Sequence, residues 1–331
     1  MSKQIKEMED IVNRNQKLRQ SRSKPNRWNG RIKTQLSLQS MVIPGLVFLI
    51  IFSYLPMFGV IIAFKDYDLY SGILGSPWVG FRHFVDFFTD KNFGIIMRNT
   101  ICISFLKLLF GFPAPIIFAV MLNEVRCSPL KRTFQTITYL PYFLSWVIVS
   151  GMIISLLAVD GGTINVLLEK MGLIDEEINF LSEPNYFWTI LVGSNVWKNT
   201  GFNAVIFIAA IAGINQELYE AASVDGASRF KQIFIVTLPS IIPQIMIMLI
   251  MQVANILNAG FDDILLLTNN GTNTILRNVS EVIDTYVYRM GLSMQRYSYA
   301  TAVGILKTVV NVSMLVAANA MSRKLTDTSL W

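Results

Sequence analysis

Charged residues, histidine and cysteine are all scarce in this chain of 331 residues. Charged residues make up 15% of it and hydrophobic residues 53%, whereas soluble domains average roughly 25% charged residues. Its two cysteines, Cys102 and Cys127, are too few for a disulfide framework or a cysteine-rich metal site. His83, the single histidine, has no second histidine with which to form a zinc pair. The composition therefore argues against a soluble, a disulfide-bonded or a metal-binding fold.

Sequence signatures of catalysis are missing as well. No Gly-x-x-x-x-Gly-Lys-Ser/Thr phosphate loop occurs, so this chain is predicted not to be an ATPase. Paired carboxylates, a Ser-His-Asp set and a metal-ligand cluster are absent in and beside the apolar stretches. We therefore predict a chain that is not an enzyme and that binds no cofactor itself.

Long apolar stretches are what the chain has instead, and each can cross a bilayer as a helix. There are six of them, at residues 41–64, 100–123, 133–158, 186–211, 240–264 and 299–321. The leader before the first stretch is too long for a signal peptide, and no cleavage site follows that stretch, so it should stay as an anchor. The sequence predicts an all-α membrane protein with six transmembrane helices.

The distribution of basic residues predicts the orientation of these helices. The net charge is +6, and residues 1–40 hold ten Lys and Arg against three acidic residues, whereas the loop at 159–185 is acidic. The positive-inside rule then places both termini in the cytoplasm. Cytoplasmic segments are predicted at 1–40, 212–239 and 322–331, and external loops at 65–99, 159–185 and 265–298. Topology and anionic lipid explain the basic leader, so no nucleic-acid partner is predicted.

A polar, helix-forming segment at 212–239 separates the fourth and fifth stretches. Asn215 is predicted to cap a first helix that carries Leu218, Ala221 and Ala222 on one face. Because the small alanines would bind lipid weakly and would let another surface approach closely, a protein partner is favoured over a lipid surface.

The second half of this segment is predicted to form a turn followed by another helix. Asp225-Gly226 predicts the turn, since glycine accepts a positive φ at no steric cost. A short helix is expected from about Ala227, and Pro239 is predicted to mark the entry to the fifth stretch.

Three groups of residues in this segment resemble a known pattern. Glu220-Ala221-Ala222, Asp225-Gly226-Ala227 and Val236-x-Leu238-Pro239 are similar to the EAA loop of bacterial ABC-importer permeases, with Val236 in place of Ile as the only departure. Further on, Gly260-Phe-Asp-Asp-Ile and Tyr297-Ser-Tyr-Ala-Thr-Ala resemble the permeases that take up complex oligosaccharides and polysaccharide fragments in Gram-positive bacteria.

This resemblance implies a type I ABC importer fold and a permease subunit in a bacterial cell membrane. It further implies four partners: a cytoplasmic ATPase dimer that binds ATP and Mg, a second permease or a copy of this chain, an extracellular solute-binding lipoprotein, and an oligosaccharide. An Ala222→Arg variant should then uncouple transport from hydrolysis. The residues that the resemblance assigns to ATPase coupling are Glu220, Ala221, Ala222, Asp225, Gly226, Ala227, Phe230, Leu238 and Pro239.

Aromatic and amide side chains within the third to fifth stretches are candidates for a sugar pathway. They are Tyr142, Trp146, Asn195, Trp197, Asn199, Asn203, Gln252, Asn255, Asn258 and Asp262. Polar groups of this kind are costly facing lipid, so they either line a wet cavity or form hydrogen bonds between helices. Similarly, Lys107, Lys198 and Lys307 either line a path for an anionic sugar, or snorkel to an interface or pair with a carbonyl.

An ion-coupled secondary transporter of sugars is the alternative function. Proton relays and cation sites generally need carboxylates buried in the membrane, and apart from Asp262 and Asp263 near the end of the fifth stretch the apolar stretches hold almost none. A membrane receptor, in turn, would not need the coupling-loop spacing. The importer is therefore favoured over both.

Overall fold

The computed structural model describes residues 27–326, and these contain helices and turns but no strand. A single isolated bridge pairs Lys65 with Trp78. The predictions for the basic leader up to residue 26, and for the tail beyond residue 326 with Trp331, lie outside the described residues. What the structure describes agrees with the predicted all-α class.

The chain forms two compact units, Met1–Val60 and Ile61–Trp331. In the first, helix α1 covers Arg27–Leu49 and continues through a π-helical turn at Ile50–Tyr54 and a short helix at Leu55–Met57. A 3₁₀ segment, Phe58–Phe64, follows across the boundary between the units.

The second unit contains fifteen helices among the residues that the structure describes. They are α2 (Gly72–Gly75), α3 (Arg82–Phe88), α4 (Phe93–Gly111), α5 (Pro113–Glu124), α6 (Ser128–Phe143), α7 (Trp146–Leu156), α8 (Thr163–Lys170), α9 (Pro184–Ala212), α10 (Gln216–Val224), α11 (Arg229–Gln232), α12 (Leu238–Ala254), α13 (Asp262–Leu267), α14 (Arg277–Ser280), α15 (Ile283–Tyr288) and α16 (Tyr297–Thr326). Two π-helical turns extend α11 and α15, at Ile233–Thr237 and Arg289–Ser293.

Within residues 27–326, four helical runs are long and apolar enough to cross a membrane, namely Leu38–Phe64, Phe93–Glu124, Arg229–Ala254 and Tyr297–Lys324. Two bent helix pairs bring the number to six if each pair is one span. These pairs are α6 with α7, bent by 100°, and α9 with α10, bent by 69°. Up to six spans therefore correspond to the six predicted stretches.

The third predicted stretch is not one straight helix. Pro141 lies in the last turn of α6, where it cannot donate a backbone hydrogen bond. Leu144 is extended, and the Ser145 side chain accepts a hydrogen bond from the Ile148 N–H at 3.4 Å, which begins α7 as a new helix. The proline and the serine cap therefore divide residues 133–158 into two helices.

The fifth stretch also differs from its predicted bounds of 240–264. Its helix begins at Arg229, because the π-helical turn Ile233–Thr237 joins α11 to α12 without a break. Pro239 consequently lies in the first turn of α12, where a proline is tolerated, and not at the start of the run. The helix ends at Ala254, since the segment that follows contains Asn255, Asn258 and Gly260, which favour turns.

The long helix α9 holds the middle of the second unit together. It packs against α4, α5, α6 and α12, and α12 in turn packs against α16. Between α5, α9 and α12 lies a buried apolar cluster that includes Ala119, Phe207 and Ile241. Outside this bundle, Phe87 of α3 packs against Tyr286 and Tyr299, which ties the first predicted external loop to α15 and α16.

Candidate functional site

One cavity of about 430 Å³ opens between α4, α7, α9, α12 and the segment that links α12 to α13. We call it the amide cavity. Eight of the ten predicted pathway residues line it, namely Trp146, Asn195, Asn199, Asn203, Gln252, Asn255, Asn258 and Asp262. Side chains far apart in the sequence thus meet around one volume, because α9 turns a face of amides towards it and the first residue of α7 and the end of α12 complete its wall.

The amides of the cavity do not bond from one helix to another. Asn199 donates to the Asn195 carbonyl at 2.9 Å, inside α9, and Asn255 donates to the Met251 carbonyl at 2.9 Å, at the end of α12. Among the described contacts, Asn203 and Gln252 make no side-chain hydrogen bond. The cavity amides therefore make none of the hydrogen bonds between helices that were the alternative to a wet pathway, and the Asn203 and Gln252 side chains are free for a ligand that carries hydroxyls.

Two of the predicted pathway residues lie elsewhere. The Tyr142 ring stacks on Phe202 with centroids 3.9 Å apart and an interplanar angle of 6°, so it is used in packing between α6 and α9. Trp197 is 49% exposed and does not line the amide cavity. It follows Asn195 by two residues, which puts it on another face of α9.

Of the lining residues that helix α4 contributes, sequence reasoning singled out Lys107 but missed Ser104, Leu108 and Gly111. Ser104, Lys107, Leu108 and Gly111 face the cavity with the i, i+3, i+4, i+7 spacing of one helix face. Ser104 is only 7% exposed, and its Oγ has no hydrogen-bond partner among the described residues. A buried hydroxyl without a partner is costly, which favours a polar ligand here. That spacing of small and polar residues in the second stretch was the signal available in the sequence.

An ion pair closes one edge of the cavity. Lys107 pairs with Asp263 and also donates to the Ala259 carbonyl at 2.7 Å. Both side chains are almost buried, at 12% and 4% exposure. The lysine thus joins α4 to α13 and to the segment before it, while Asp262 is exposed and has no described partner. One lysine and two aspartates leave the lining with a net charge of −1.

Lys198 and Lys307 are also held by the protein. The Lys198 ammonium donates to the carbonyls of Pro141, Tyr142 and Leu144 at 3.1, 2.8 and 2.6 Å, which agrees with the predicted pairing with a carbonyl. Lys307 pairs with Asp284. This second ion pair borders a recess of about 570 Å³ that shares Met251, Asn255 and Asn258 with the amide cavity.

The predicted coupling segment folds as a helical hairpin made of α10 and α11. The Asn215 side chain accepts from the Glu217 N–H at 3.1 Å and caps α10, as the sequence predicts. Gly226 has φ +75°, a conformation that favours glycine. Behind this turn, the Gln232 amide donates to Ser223 Oγ at 2.8 Å and so joins the two helices.

The burial of the two alanines corrects one prediction. Ala222 is only 7% exposed and faces the rest of the chain, so it leaves no room for a partner. Leu218 and Val224 are 50% and 88% exposed, and Ala221 is exposed between them. The outward face of α10 is therefore Leu218, Ala221 and Val224, while Ala222, although one helical turn from Leu218, is covered by the rest of the chain.

The other predicted coupling residues divide into exposed and internal ones. Phe230 is 72% exposed and packs on Phe234 with centroids 5.1 Å apart. The Ala227 N–H donates to the Ala222 carbonyl at 2.9 Å, and Leu238 packs against the Phe207 cluster. Besides Phe230 and Ala221, the exposed members are Glu220, Asp225, Gly226 and Pro239.

No group of three or more His, Cys, Asp or Glu side chains that could hold a metal ion occurs in the part of the chain that the structure describes. The geometry is that of a polar cavity between membrane helices, with an apolar hairpin surface at one end of α9.

Residues 111–327 match the family described as "Binding-protein-dependent transport system inner membrane component". The chain belongs to this family. It is therefore a multi-pass membrane permease of the binding-protein-dependent type, and it is a transport subunit rather than an enzyme.

Two curated relatives and two solved structures match this permease over most of its length. Protein LplB of Bacillus subtilis is 44% identical over 92% of this chain and 94% of its own. The polygalacturonan/rhamnogalacturonan transport system permease protein YteP of the same organism is 41% identical over 90% of this chain and 91% of its own.

Both solved structures are of a bacterial ABC transporter for alginate. One chain of that transporter, involved in the import of the acidic polysaccharide alginate, is 40% identical with a TM-score of 0.81, covering 91% of this chain and 100% of the other. A second structure contains an alginate pentasaccharide-bound periplasmic protein, and its matching chain is 40% identical with a TM-score of 0.82, covering 91% and 99%. A TM-score above 0.8 at this identity shows a shared type I importer permease fold.

Proposed function

We propose that this permease passes an oligosaccharide or polysaccharide fragment from an extracellular binding protein to the cytoplasm, as one subunit of an ATP-driven importer. The observation that carries the proposal is the amide cavity. Asn203 and Gln252 have free side chains there, Ser104 has a free buried hydroxyl, and Trp146 supplies a ring for a sugar face. Amides and hydroxyls match sugar hydroxyls, and an aromatic ring matches the C–H face.

The names of the relatives support the same substrate class. YteP is named for polygalacturonan and rhamnogalacturonan, and the solved transporter is described as an alginate importer. Long carbohydrate chains are common to these proteins, which are similar to this one over nine-tenths of its length. An origin in the cell membrane of a Gram-positive bacterium is part of the proposal, since LplB and YteP are both from Bacillus subtilis.

Energy would come from a cytoplasmic ATPase dimer that binds ATP and Mg. The α10–α11 hairpin offers it a surface of Leu218, Ala221, Val224 and Phe230, all of them exposed. An exposed apolar patch on a small, internally bonded hairpin is typical of a protein contact. ATPase closure at this hairpin would then rotate the helices attached to it.

A second permease completes the pathway in this proposal. The amide cavity and the recess beside Lys307 and Asn311 share Met251, Asn255 and Asn258 in their linings. Polar linings of this kind would be costly facing lipid, so a homologous subunit is expected to cover them. An extracellular solute-binding lipoprotein would deliver the sugar from the predicted external side.

Transport by the purified assembly tests this proposal. The chain, tagged and solubilised with its partners, should co-purify with a phosphate-loop ATPase and a second permease, and should take up an oligosaccharide into proteoliposomes only with ATP. Asn203→Leu with Gln252→Leu should reduce uptake at least tenfold because the sugar loses two hydrogen-bonding groups. Asn179→Leu, at an exposed position of the predicted external loop 159–185, is the matched control.

Uptake that proceeds without ATP, driven by a proton or sodium gradient, would contradict the importer and favour the secondary transporter. Full uptake by the double leucine variant would instead show that the amide cavity is not the pathway.

A further inference from the structure

A second polar cavity, of about 330 Å³, lies between α13, α14 and α15, on the side that the charge distribution predicts to be external. We call it the outer cavity. Its wall includes the turn after α13, where Asn269, Asn270 and Gly271 have φ of 51°, 56° and 74°. Three successive residues in the left-handed region curve this turn around the cavity, and asparagine and glycine tolerate that conformation best.

The two arginines that line the outer cavity differ in whether they have a partner. Arg289 forms a close ion pair with Glu281, with Nε and Nη2 at 2.6 and 2.5 Å from the same carboxylate oxygen. Arg277 also lines the cavity, but its guanidinium has no carboxylate and no hydrogen-bond partner among the described residues. Two arginines against one glutamate leave the outer cavity with a net charge of +1, opposite in sign to the amide cavity.

Uncharged groups beside Arg277 are also free. Ser280 is only 6% exposed and its hydroxyl makes no described hydrogen bond, while the side chains of Asn270 and Ser293 are likewise unpaired. Thr268 and Thr285, in contrast, bond to carbonyls of their own helices. A free guanidinium beside free hydroxyl and amide groups favours a ligand that bears both a carboxylate and hydroxyls.

The outer cavity adjoins the amide cavity. Phe261 lines the amide cavity and Tyr288 the outer one, and their rings are in contact with centroids 5.2 Å apart. Helix α13 likewise has Asp262 and Asp263 on one cavity and Ile264 and Leu265 on the other. One aromatic pair and one short helix therefore separate the two.

We propose that the outer cavity binds an acidic sugar residue, with the Arg277 guanidinium on its carboxylate and Ser280 and Asn270 on its hydroxyls. This inference rests on the proposed function and adds that the imported chain carries uronic acid units. The positively charged outer cavity would select the carboxylate before the sugar reaches the amide cavity, whose own lining is negatively charged. A carboxylate from a protein partner would use only the arginine, whereas an acidic sugar also offers hydroxyls to Ser280 and Asn270.

Binding of two matched trisaccharides to the assembled importer tests this inference. One is galacturonate trisaccharide, and the other is its fully methyl-esterified form, which has the same rings without the charges. Arg277→Gln should weaken binding of the acid about tenfold or more, because an arginine–carboxylate bond is lost, and should change binding of the ester less than about twofold. Arg277→Lys should keep part of the affinity, since it keeps the charge.

Arg82→Gln is the matched control, since Arg82 is exposed and lines neither cavity. It should leave both affinities unchanged. Raising the salt concentration should weaken binding of the acid to the wild-type importer and have little effect on Arg277→Gln.

Three results would overturn the inference. Equal affinity of wild type and Arg277→Gln for the acid would show that the arginine does not bind it. Equal losses for acid and ester would show a structural role, and a loss seen only when the binding protein is present would show a protein contact. ATP-driven uptake of the ester with no binding of the acid would leave the proposed function standing without this site, whereas ATP-independent transport would remove both.

Discussion

The Lys198 ammonium lies 2.8 Å from the Tyr142 carbonyl oxygen, and the same ammonium reaches the carbonyls of Pro141 and Leu144. These carbonyls belong to the end of α6, where the helix has no further N–H groups to satisfy them. The rings of Tyr142 and Trp146 lie on either side of the break, 5.5 and 5.6 Å from the ammonium. Lys198 of α9 therefore caps α6 and holds the 100° bend into α7.

Lys198→Met should destabilise the permease by about 2 kcal/mol or more, because buried carbonyls lose their donor. It should also reduce uptake, since Trp146 enters the amide cavity from the first residue of α7. Thermal unfolding in nanodiscs and ATP-driven uptake measure the two effects. Lys170→Met, at an exposed lysine of α8, should do neither. A Lys198→Met protein as stable as wild type would show that α6 ends without this cap.

Because Lys107 and Asp263 form an ion pair, the effects of replacing them on the free energy of unfolding should be strongly non-additive. Lys107→Met leaves the almost buried Asp263 carboxylate without its partner, so a loss of about 3 kcal/mol in the free energy of unfolding is expected. The double variant Lys107→Met/Asp263→Leu should recover most of that loss, since no buried charge remains. A double-mutant cycle by thermal unfolding checks this, and additive losses would contradict a direct pair.

Gly260 lies against this ion pair and should not tolerate a side chain. Its φ is +117°, and an added Cβ would collide with the Asp263 carboxylate and come within 2.6 Å of the Lys107 ammonium. Gly260→Ala is expected to cost about 2 kcal/mol or more through backbone strain and displacement of the pair. Gly193→Ala, in α9 with nothing within 4 Å, should instead stabilise by about 0.5 to 1 kcal/mol. Equal melting temperatures for the two variants would contradict the close approach.

Helical periodicity and residue chemistry explain why much of the site could be predicted from the sequence. Asn195, Asn199 and Asn203 recur every four residues, so one polar face of α9 followed directly from the spacing. Lys107 was recognised as unusual in an apolar stretch, but its partner Asp263 is 156 residues away. Such a pair depends on how helices pack, which local patterns do not contain.

The bend between α6 and α7 could not be predicted from local sequence patterns either. Pro141 is visible in the sequence, yet prolines also lie inside α1 and α12 without the 100° bend seen between α6 and α7. What distinguishes Pro141 is the Ser145 cap just after it and the Lys198 ammonium that satisfies the freed carbonyls from another helix. Only the tertiary structure brings that lysine to the break.

The coupling hairpin predicts different outcomes for neighbouring positions. Val224→Asp places a charge on a side chain that is 88% exposed, so it should leave stability unchanged within about 0.5 kcal/mol while weakening ATPase binding about tenfold. Ala222→Arg, at a buried position, should instead destabilise the hairpin itself. Leu173→Asp makes the same kind of change at an exposed position of the predicted external loop 159–185 and should alter neither property. Unchanged ATPase co-purification with Val224→Asp would exclude this face as the contact.

Asp90, Tyr286 and Tyr299 form a hydrogen-bonded cluster on the predicted external side. Its pKa shifts determine the pH range in which this side of the protein should be stable. The Tyr286 hydroxyl donates to the Asp90 carboxylate at 2.7 Å and lies 2.9 Å from the Tyr299 hydroxyl. Burial alone would raise the pKa of Asp90, but hydrogen bonds from the Asn92 N–H and from Tyr286 outweigh it and lower that pKa. Burial first, and then the bonds to Tyr299 and Asp90, raise the pKa of Tyr286 well above its ordinary value.

The directions of these two pKa shifts determine how the stability of the fold should change with pH. The lowered Asp90 pKa contributes stability that is present above the unfolded value of 3.8 and is lost as pH falls through the folded value. The raised Tyr286 pKa contributes stability that is present below the unfolded value of 10.0 and is lost as pH rises through the folded value. The cluster should therefore stabilise the fold throughout the neutral range.

Two variants separate these contributions in melting curves of the permease recorded across pH. Tyr286→Phe should cost about 1 kcal/mol at neutral pH through the lost hydrogen bond, and the difference from wild type should shrink in alkaline solution. Asp90→Asn should show a difference that shrinks in acid instead, because protonated Asp90 has already lost its charge. Asp86→Asn, on the same helix as Phe87 but with no described side-chain partner, is the control and should follow wild type throughout. If Tyr286→Phe lowered the melting temperature by the same amount at every pH, the Tyr286 hydroxyl would contribute through packing and not through its ionisation.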